Sequence, residues 1–355
     1  MSVASERELW SRLASAGLTA GEMPATDEAR TPWYVRAMLG VAGLIAAAFL
    51  LGFVGAALSF IVDSKPASVV VGSLVVVCAY AVFRLAPRND FSTMFALAVS
   101  FAGQALIATG LLGRFGSSFG PEWIVIAAIE ALLAAVMPNF IHRVASAYAA
   151  GTAFAYACFL SGIEPVASGV VAAGVAGIWL NEERWARWGA IVAPIGYGLT
   201  IALLQTEGMA LFRHSTAMLF RSSTAAAVAP WIGEAIVAAF LLVSVAVLLR
   251  RAGYTAREPR ALLAVVAVAA ICAASFKAPG IACGLMITVL GFSNGNRSLA
   301  GLGIAALLFY VSGYYYQLSE TLLFKAGVLL ATGAVLLAAR WLMLSVAMPR
   351  DPANA

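Results

Sequence analysis

The sequence predicts an all-α fold, a polytopic integral membrane helix bundle of about twelve transmembrane helices with N-in/C-in topology. Three observations predict it. The 355-residue chain is 62% hydrophobic and only 11% charged, whereas a soluble domain carries about 25% charged residues to cover its surface. Apolar runs recur from Ala37 to Ala347, each near the roughly 20 residues that a helix needs to cross a bilayer. The breaks between runs are mostly turn-length and collect arginine, as loops of membrane proteins do. The expected organisation is a cytoplasmic segment over residues 1–36, a transmembrane domain over 37–347 and a cytoplasmic tail over 348–355.

The first 36 residues are polar and include Glu6, Glu8, Glu22, Asp27 and Glu28. A cleaved signal peptide starts basic and turns apolar within a few residues, so none is expected. Ser5 followed by Glu8 fits a capping box, in which each side chain satisfies a free amide of the first helical turn. Leu9, Trp10 and Leu13 then form one apolar stripe at helical spacing. The expectation is a short amphipathic helix on the membrane surface or on the bundle, ended by Gly17 and Gly21-Glu22-Met23-Pro24.

Spans are predicted at 37–62, 67–86, 91–113, 121–137, 144–163, 165–180, 188–204, 231–249, 261–276, 278–292, 299–315 and 321–339. Turns such as Asp63-Ser-Lys65-Pro66, Pro87-Arg88-Asn89-Asp90 and Asn181-Glu-Glu-Arg184 separate them. Local thinning of the bilayer and snorkelling of flanking cations accommodate the shorter ones. Only Lys277 and Pro279 divide 261–276 from 278–292, so that stretch reads as two spans or as one re-entrant hairpin. With the N-terminus inside, 16 of the 22 basic residues fall on the inner side and 6 on the outer, as the positive-inside rule requires. The one long connection, 205–230, falls outside. Its Ala210-Leu-Phe212 and Met218-Leu-Phe220 are each followed by arginine, a pattern that suits an interfacial helix.

An ionisable group deep in a span is costly and marks a functional hypothesis. Glu130 is the clearest case, near the centre of its apolar run. It is either a protonatable site on a proton or cation path or a structural hydrogen-bonding group. Gln104, mid-span in the third helix, reads as interhelical glue. Glu234 lies one turn into the eighth span, where exposure at the interface is cheap. Lys277, Glu320 and Lys325 fall at or just inside the outer boundary, and Lys325 is a candidate partner for Glu130. Tyr310, Tyr314, Tyr315 and Tyr316 are expected at that boundary with wet hydroxyls. Gly280-Ile-Ala-Cys-Gly284 is a GxxxG step that allows two helices to approach closely.

Cys78, Cys158, Cys272 and Cys283 each sit in an apolar run and read as free, buried packing residues. His142 and His214 fall in separate loops, so no metal site and no cofactor is expected. There is no phosphate-binding glycine loop, serine elbow, HExxH or Cys-x-x-Cys. Nor is there a basic-aromatic surface for nucleic acid. No enzymatic activity is expected.

The most distinctive text is late. It runs Asn294-Gly-Asn-Arg297-Ser-Leu-Ala-Gly-Leu-Gly303, then Phe309-Tyr310-Val-Ser-Gly-Tyr314-Tyr-Tyr316-Gln-Leu-Ser-Glu-Thr321-Leu-Leu-Phe-Lys325, and ends Gly333-Ala-Val-Leu-Leu-Ala-Ala-Arg340. Together with Thr31-Pro-Trp-Tyr34 before the first span, it resembles a bacterial membrane family known as domain of unknown function 4401. The resemblance implies a multi-pass protein of the bacterial inner membrane. It also implies partners: a second multi-span protein and a small membrane-anchored protein. It supplies no catalytic residues. Where the family usually has serine after the lysine, this chain has Ala326.

Two functions are carried forward. The first is a non-catalytic scaffold or subunit of a bacterial envelope membrane complex. The alternative is a secondary transporter or proton/cation-coupled permease that uses Glu130.

Overall fold

A helix satisfies its own backbone hydrogen bonds, which lipid cannot do for it, and every regular element among the described residues is helical. The computed structural model describes residues 3–17, 19, 64–85, 90–113, 120–211, 228–229, 231–255 and 258–317, with single positions 38, 42, 45, 49, 52, 323 and 337. Its helices are α1 (Val3–Ser15), α2 (Lys65–Leu85), α3 (Asp90–Leu112), α4 (Gly120–Val136), α5 (Phe140–Leu160), α6 (Glu164–Leu180), α7 (Gly189–Leu211), α8 (Trp231–Arg251), α9 (Pro259–Ser275), α10 (Ile281–Ser293) and α11 (Arg297–Gln317). A 3-10 turn, Ala186–Trp188, leads into α7. Five segments are long and apolar enough to cross a membrane: Lys65–Leu85, Phe91–Leu112, Ala186–Leu211, Trp231–Arg251 and Arg297–Tyr316. α6, α9 and α10 are shorter apolar helices. The predicted spans 37–62 and 321–339 lie outside the described residues except for single helical positions. Met38, Ala42, Ile45, Phe49 and Gly52 are exposed and spaced along one helical face.

Three local expectations change. α1 begins at Val3, so Ser5 lies within its first turn and not at a cap. Glu8 instead pairs with Arg12 one turn on, at 2.6 Å, the favoured acid-before-base i,i+4 order. α7 continues through Gln205 to Leu211, because apolar residues resume after Glu207 and bury Leu211. The stretch 261–292 is two helices, turned at Gly280 with φ +91°, a left-handed conformation that favours glycine. Gly280 is therefore a turn residue and not part of a helix-face GxxxG step.

The chain forms two compact units. One comprises Met1–Ser59 with Leu74–Gly103; the other comprises Phe60–Ser73 with Gln104–Ala355. Within the first, Val76, Ala79 and Phe83 of α2 and Ala96 and Leu97 of α3 are buried. Cys78 is exposed, contrary to expectation, beside exposed Leu74 and Val77, on a face that suits lipid. Cys158, Cys272 and Cys283 are buried, and all four cysteines are free.

The second unit holds the main core. α6, α7, α8, α9 and α10 bury Val175, Trp179, Leu203, Leu241, Met286 and Ile287 among others. Small residues allow the closest approaches. A Cβ on Gly198 of α7 would strike the Val144 carbonyl of α5 and lie 2.6 Å from Ala147 Cβ. At the far end of α10, Asn294 Nδ2 donates to Trp179 O at 2.8 Å, and Tyr197 Oη donates to Asn296 Oδ1 at 2.9 Å. The Asn294-Gly-Asn296 turn thus pins α6 and α7 from one side.

α7 contains Pro194, which cannot supply the amide that would bond the carbonyl four residues back. That carbonyl belongs to Ala190, and Arg143 Nη1 of α5 donates to it at 2.6 Å. A buried guanidinium thus replaces a missing backbone donor. Arg143→Met is expected to destabilise the protein by about 1.5–3 kcal/mol, the range for a lost hydrogen bond to a charged group. Pro194→Ala introduces the backbone amide that proline lacks, so the double variant should lose less than the two singles together in a detergent melting series.

α9 is preceded by a Thr-x-x-Glu turn. Glu258 Oε1 accepts from Thr255 N and from Thr255 Oγ1, both at 2.9 Å. The Thr255 amide, and then its hydroxyl, hold the Glu258 carboxyl below the usual carboxylate range. With the folded value depressed, this turn contributes stability above the unfolded carboxyl's titration and loses it as pH falls through the folded value. Amide exchange at Thr255 should accelerate in that acidic window in wild type, and Glu258→Ala, which removes the acceptor, should be fast at all pH.

Candidate functional site

Asn139 caps α5, its Oδ1 accepting from His142 N at 3.0 Å. This cap starts the helix at Phe140, so His142 is a helical residue, fully buried, and not a loop residue as the sequence suggested. His214 lies outside the described residues. The first two turns of α5 then send three side chains to three other helices. Arg143 reaches α7, as above. His142 meets Gln104 of α3, with Nε2 to Nε2 at 3.0 Å. Ser146 reaches the carboxyl of Glu130 on α4.

These contacts join into one chain. Ser146 Oγ lies 3.4 Å from His142 Nδ1 and 3.4 Å from Gln104 Nε2. One set of roles satisfies every pair: Gln104 donates to His142 Nε2, His142 Nδ1–H donates to Ser146 Oγ, and Ser146 donates to Glu130. Glu130 is 6% exposed, and its Oε2 is buried with no hydrogen-bond partner. Desolvation makes such an atom expensive unless it carries or exchanges a proton. Two residues singled out in the sequence, Glu130 and Gln104, are thus linked through two that were not, Ser146 and His142.

The remaining sequence candidates are placed differently. Lys277 is exposed in the turn between α9 and α10. Glu320 and Lys325 lie outside the described residues, and with them the proposed Glu130–Lys325 pair. Tyr314 and Tyr315 are half-buried and Tyr316 is 81% exposed, as a boundary position allows. Tyr310 is not wet: it is 1% exposed, and its hydroxyl donates to Leu204 O at 2.7 Å. That neighbouring carbonyl supplies what interfacial water was expected to supply.

Glu234 also departs from expectation. It is one turn into α8 but buried, its Oε2 without a partner. Ser275 at the end of α9 and the Gly280 backbone at the start of α10 reach it there. Its side chain bonds that of Glu207 on α7, itself 2% exposed. Glu207 was missed because the sequence reading ended the span at Leu204; the apolar Gly208-Met-Ala-Leu211 beyond it was the available signal. Among the described residues no group of His, Cys, Asp and Glu is arranged to hold a metal ion. A cavity of about 430 Å³ lined by Leu180, Asn181, Glu183, Arg184 and Arg251 lies at the opposite end of α8 from Glu234.

Comparison with protein families gives a match to domain of unknown function DUF4401 over residues 32–346. The chain belongs to the DUF4401 family. Comparison with curated proteins and with solved structures yields no match. The five long apolar helices make this DUF4401 member a membrane protein. The match spans both polar groupings, the one around Glu130 and the one around Glu234.

Ser146→Ala should leave Glu130 without its hydroxyl donor. An interhelical hydrogen bond in a membrane bundle contributes about 0.6–1.7 kcal/mol, so a loss of that size is expected in a denaturant or thermal unfolding assay. Ser146→Thr should retain most of it.

Proposed function

We propose that this DUF4401 member is a proton-coupled permease of the bacterial inner membrane, multi-pass with about twelve spans and N-in/C-in, in which Glu130 carries the proton. The observation that supports this reading is the Gln104–His142–Ser146–Glu130 chain ending on a bare carboxyl oxygen. Proton relays within membranes use such acid and histidine groups facing the bundle interior. A scaffold gains from hydrogen bonds between helices but gains nothing from an unpartnered Oε2. An amide at position 130 would serve it as well.

The test is proton flux into proteoliposomes under an imposed potential, read with an entrapped pH dye. Glu130→Gln should reduce the flux at least about tenfold, on the scale of a lost acid–base group, while the variant remains folded and monodisperse. Equal flux in wild type and variant, or none in wild type, overturns the permease. Glu130 is then a structural group, and the scaffold reading, with stoichiometric membrane partners recovered in mild detergent, takes its place.

A further inference from the structure

A second polar cluster stands apart from the Glu130 chain. It lies at the end of the bundle where α7, α9 and α11 finish and α8 and α10 begin. Glu207 is one turn from the end of α7, and Glu234 is one turn from the start of α8. Their side chains are hydrogen-bonded to each other, and Glu234 also bonds the backbone at Gly280 and the side chain of Ser275. Ser275 and Cys283 are fully buried, and the Tyr310 ring covers Gly280. A Cβ at Gly280 would lie 2.6 Å from Tyr310 Cδ1.

Ionised carboxylates only accept, so a hydrogen bond from one carboxyl to the other needs a proton carried by the pair. Tyr310 Oη does not supply it, because it donates to Leu204 O at 2.7 Å. The groups that bear electrostatically on Glu234 are Glu207, Ser275 and the Gly280 backbone, with no cation among the described residues. The ionisable groups near the pair on α10 and α11 are Cys283 and Tyr310. Lys277, in the α9–α10 turn, is exposed. Glu164 opens α6, whose Pro165 packs on Gly233 of α8. The Gly280 amide is a donor aimed at the carboxyl, which suits a carboxylate and opposes a metal cation. The independent observation is Glu234 Oε2, an unpartnered oxygen on a side chain more than nine-tenths buried.

We propose that Glu207 and Glu234 form one proton-binding site, which holds a shared proton between the two carboxyls and takes up a second at Glu234 Oε2. Uptake forms an O–H bond on a carboxylate oxygen, with the proton delivered by water or hydronium. Glu234 is three positions along α8 from Trp231, its first residue, a rise of roughly 5 Å, so the site lies within one turn of the start of α8. It shares no residue with the Glu130 chain, from which Glu207 is separated along α7.

The test is infrared difference spectroscopy of the full chain in nanodiscs, titrated with pH in H2O and D2O. A Glu130→Gln background removes that group's contribution, so failure here is distinct from failure of the permease reading. The expected result is a carbonyl band of a protonated carboxylic acid that shifts in D2O and disappears as pH rises. It should change in Glu207→Gln and in Glu234→Gln and be absent in the double variant. If the Gln variants do not fold, Glu207→Asp and Glu234→Asp should each shift the band's frequency. The proposal is overturned if no such band depends on either residue. It is equally overturned if sodium, potassium or calcium abolishes the band at constant pH, which would make the pair a cation site.

Discussion

Arg143 donating to the Ala190 carbonyl beneath Pro194 is the contact on which the arrangement of the second unit turns. In lipid there is no water to take over a backbone group that a proline has left unpaired. The donor has to come from a neighbouring helix, and that fixes α5 against α7. Once the two are fixed, Gly198 is needed where α7 crosses Val144 and Ala147. Thr152 then meets Gln205 one side chain to another, at 3.0 Å. The same turns of α5 carry His142 and Ser146 to α3 and α4. Structural and polar roles therefore share one short stretch, Asn139 to Ser146.

α7 connects the two polar groupings. Ala190, beside the Glu130 chain through Arg143, and Glu207, in the carboxyl pair, are separated by 17 residues on one helix, or roughly 25 Å. That is most of the thickness of a hydrocarbon core. Between them Thr200 and Leu203 of α7 are fully buried, and Trp179 Nε1 of α6 donates to Thr200 Oγ1 at 3.3 Å.

The late part of the chain supports that arrangement from one side. The Asn294–Asn296 turn bonds α6 and α7 at one end, and Tyr310 bonds α7 at the other. α10 and α11 pack tightly through Gly284, Gly291 and Gly303. The stretch that carried the family resemblance is therefore a clamp on α7 where it is described, and its Tyr310 ring also covers Gly280.

The sequence by itself determined that the chain is helical, that it belongs in lipid and, within a few residues, where most helices from α2 to α11 begin and end. These depend on composition and on hydropathy over a window of about twenty residues, which is local information. Glu130 and Gln104 were legible for the same reason, since a polar group in an apolar run is visible without a fold. What only the tertiary structure decided is who covers whom. Glu234 and Tyr310 sit where sequence alone expects the wet membrane boundary, and neighbouring helices bury both. His142 and Glu207 became site residues because helices extend past the limits set by hydropathy, through an asparagine cap at one and a resumed apolar turn at the other. Hydropathy records the average along a helix, whereas burial and pairing depend on the face and the partner, and those are set by contacts far apart in the chain.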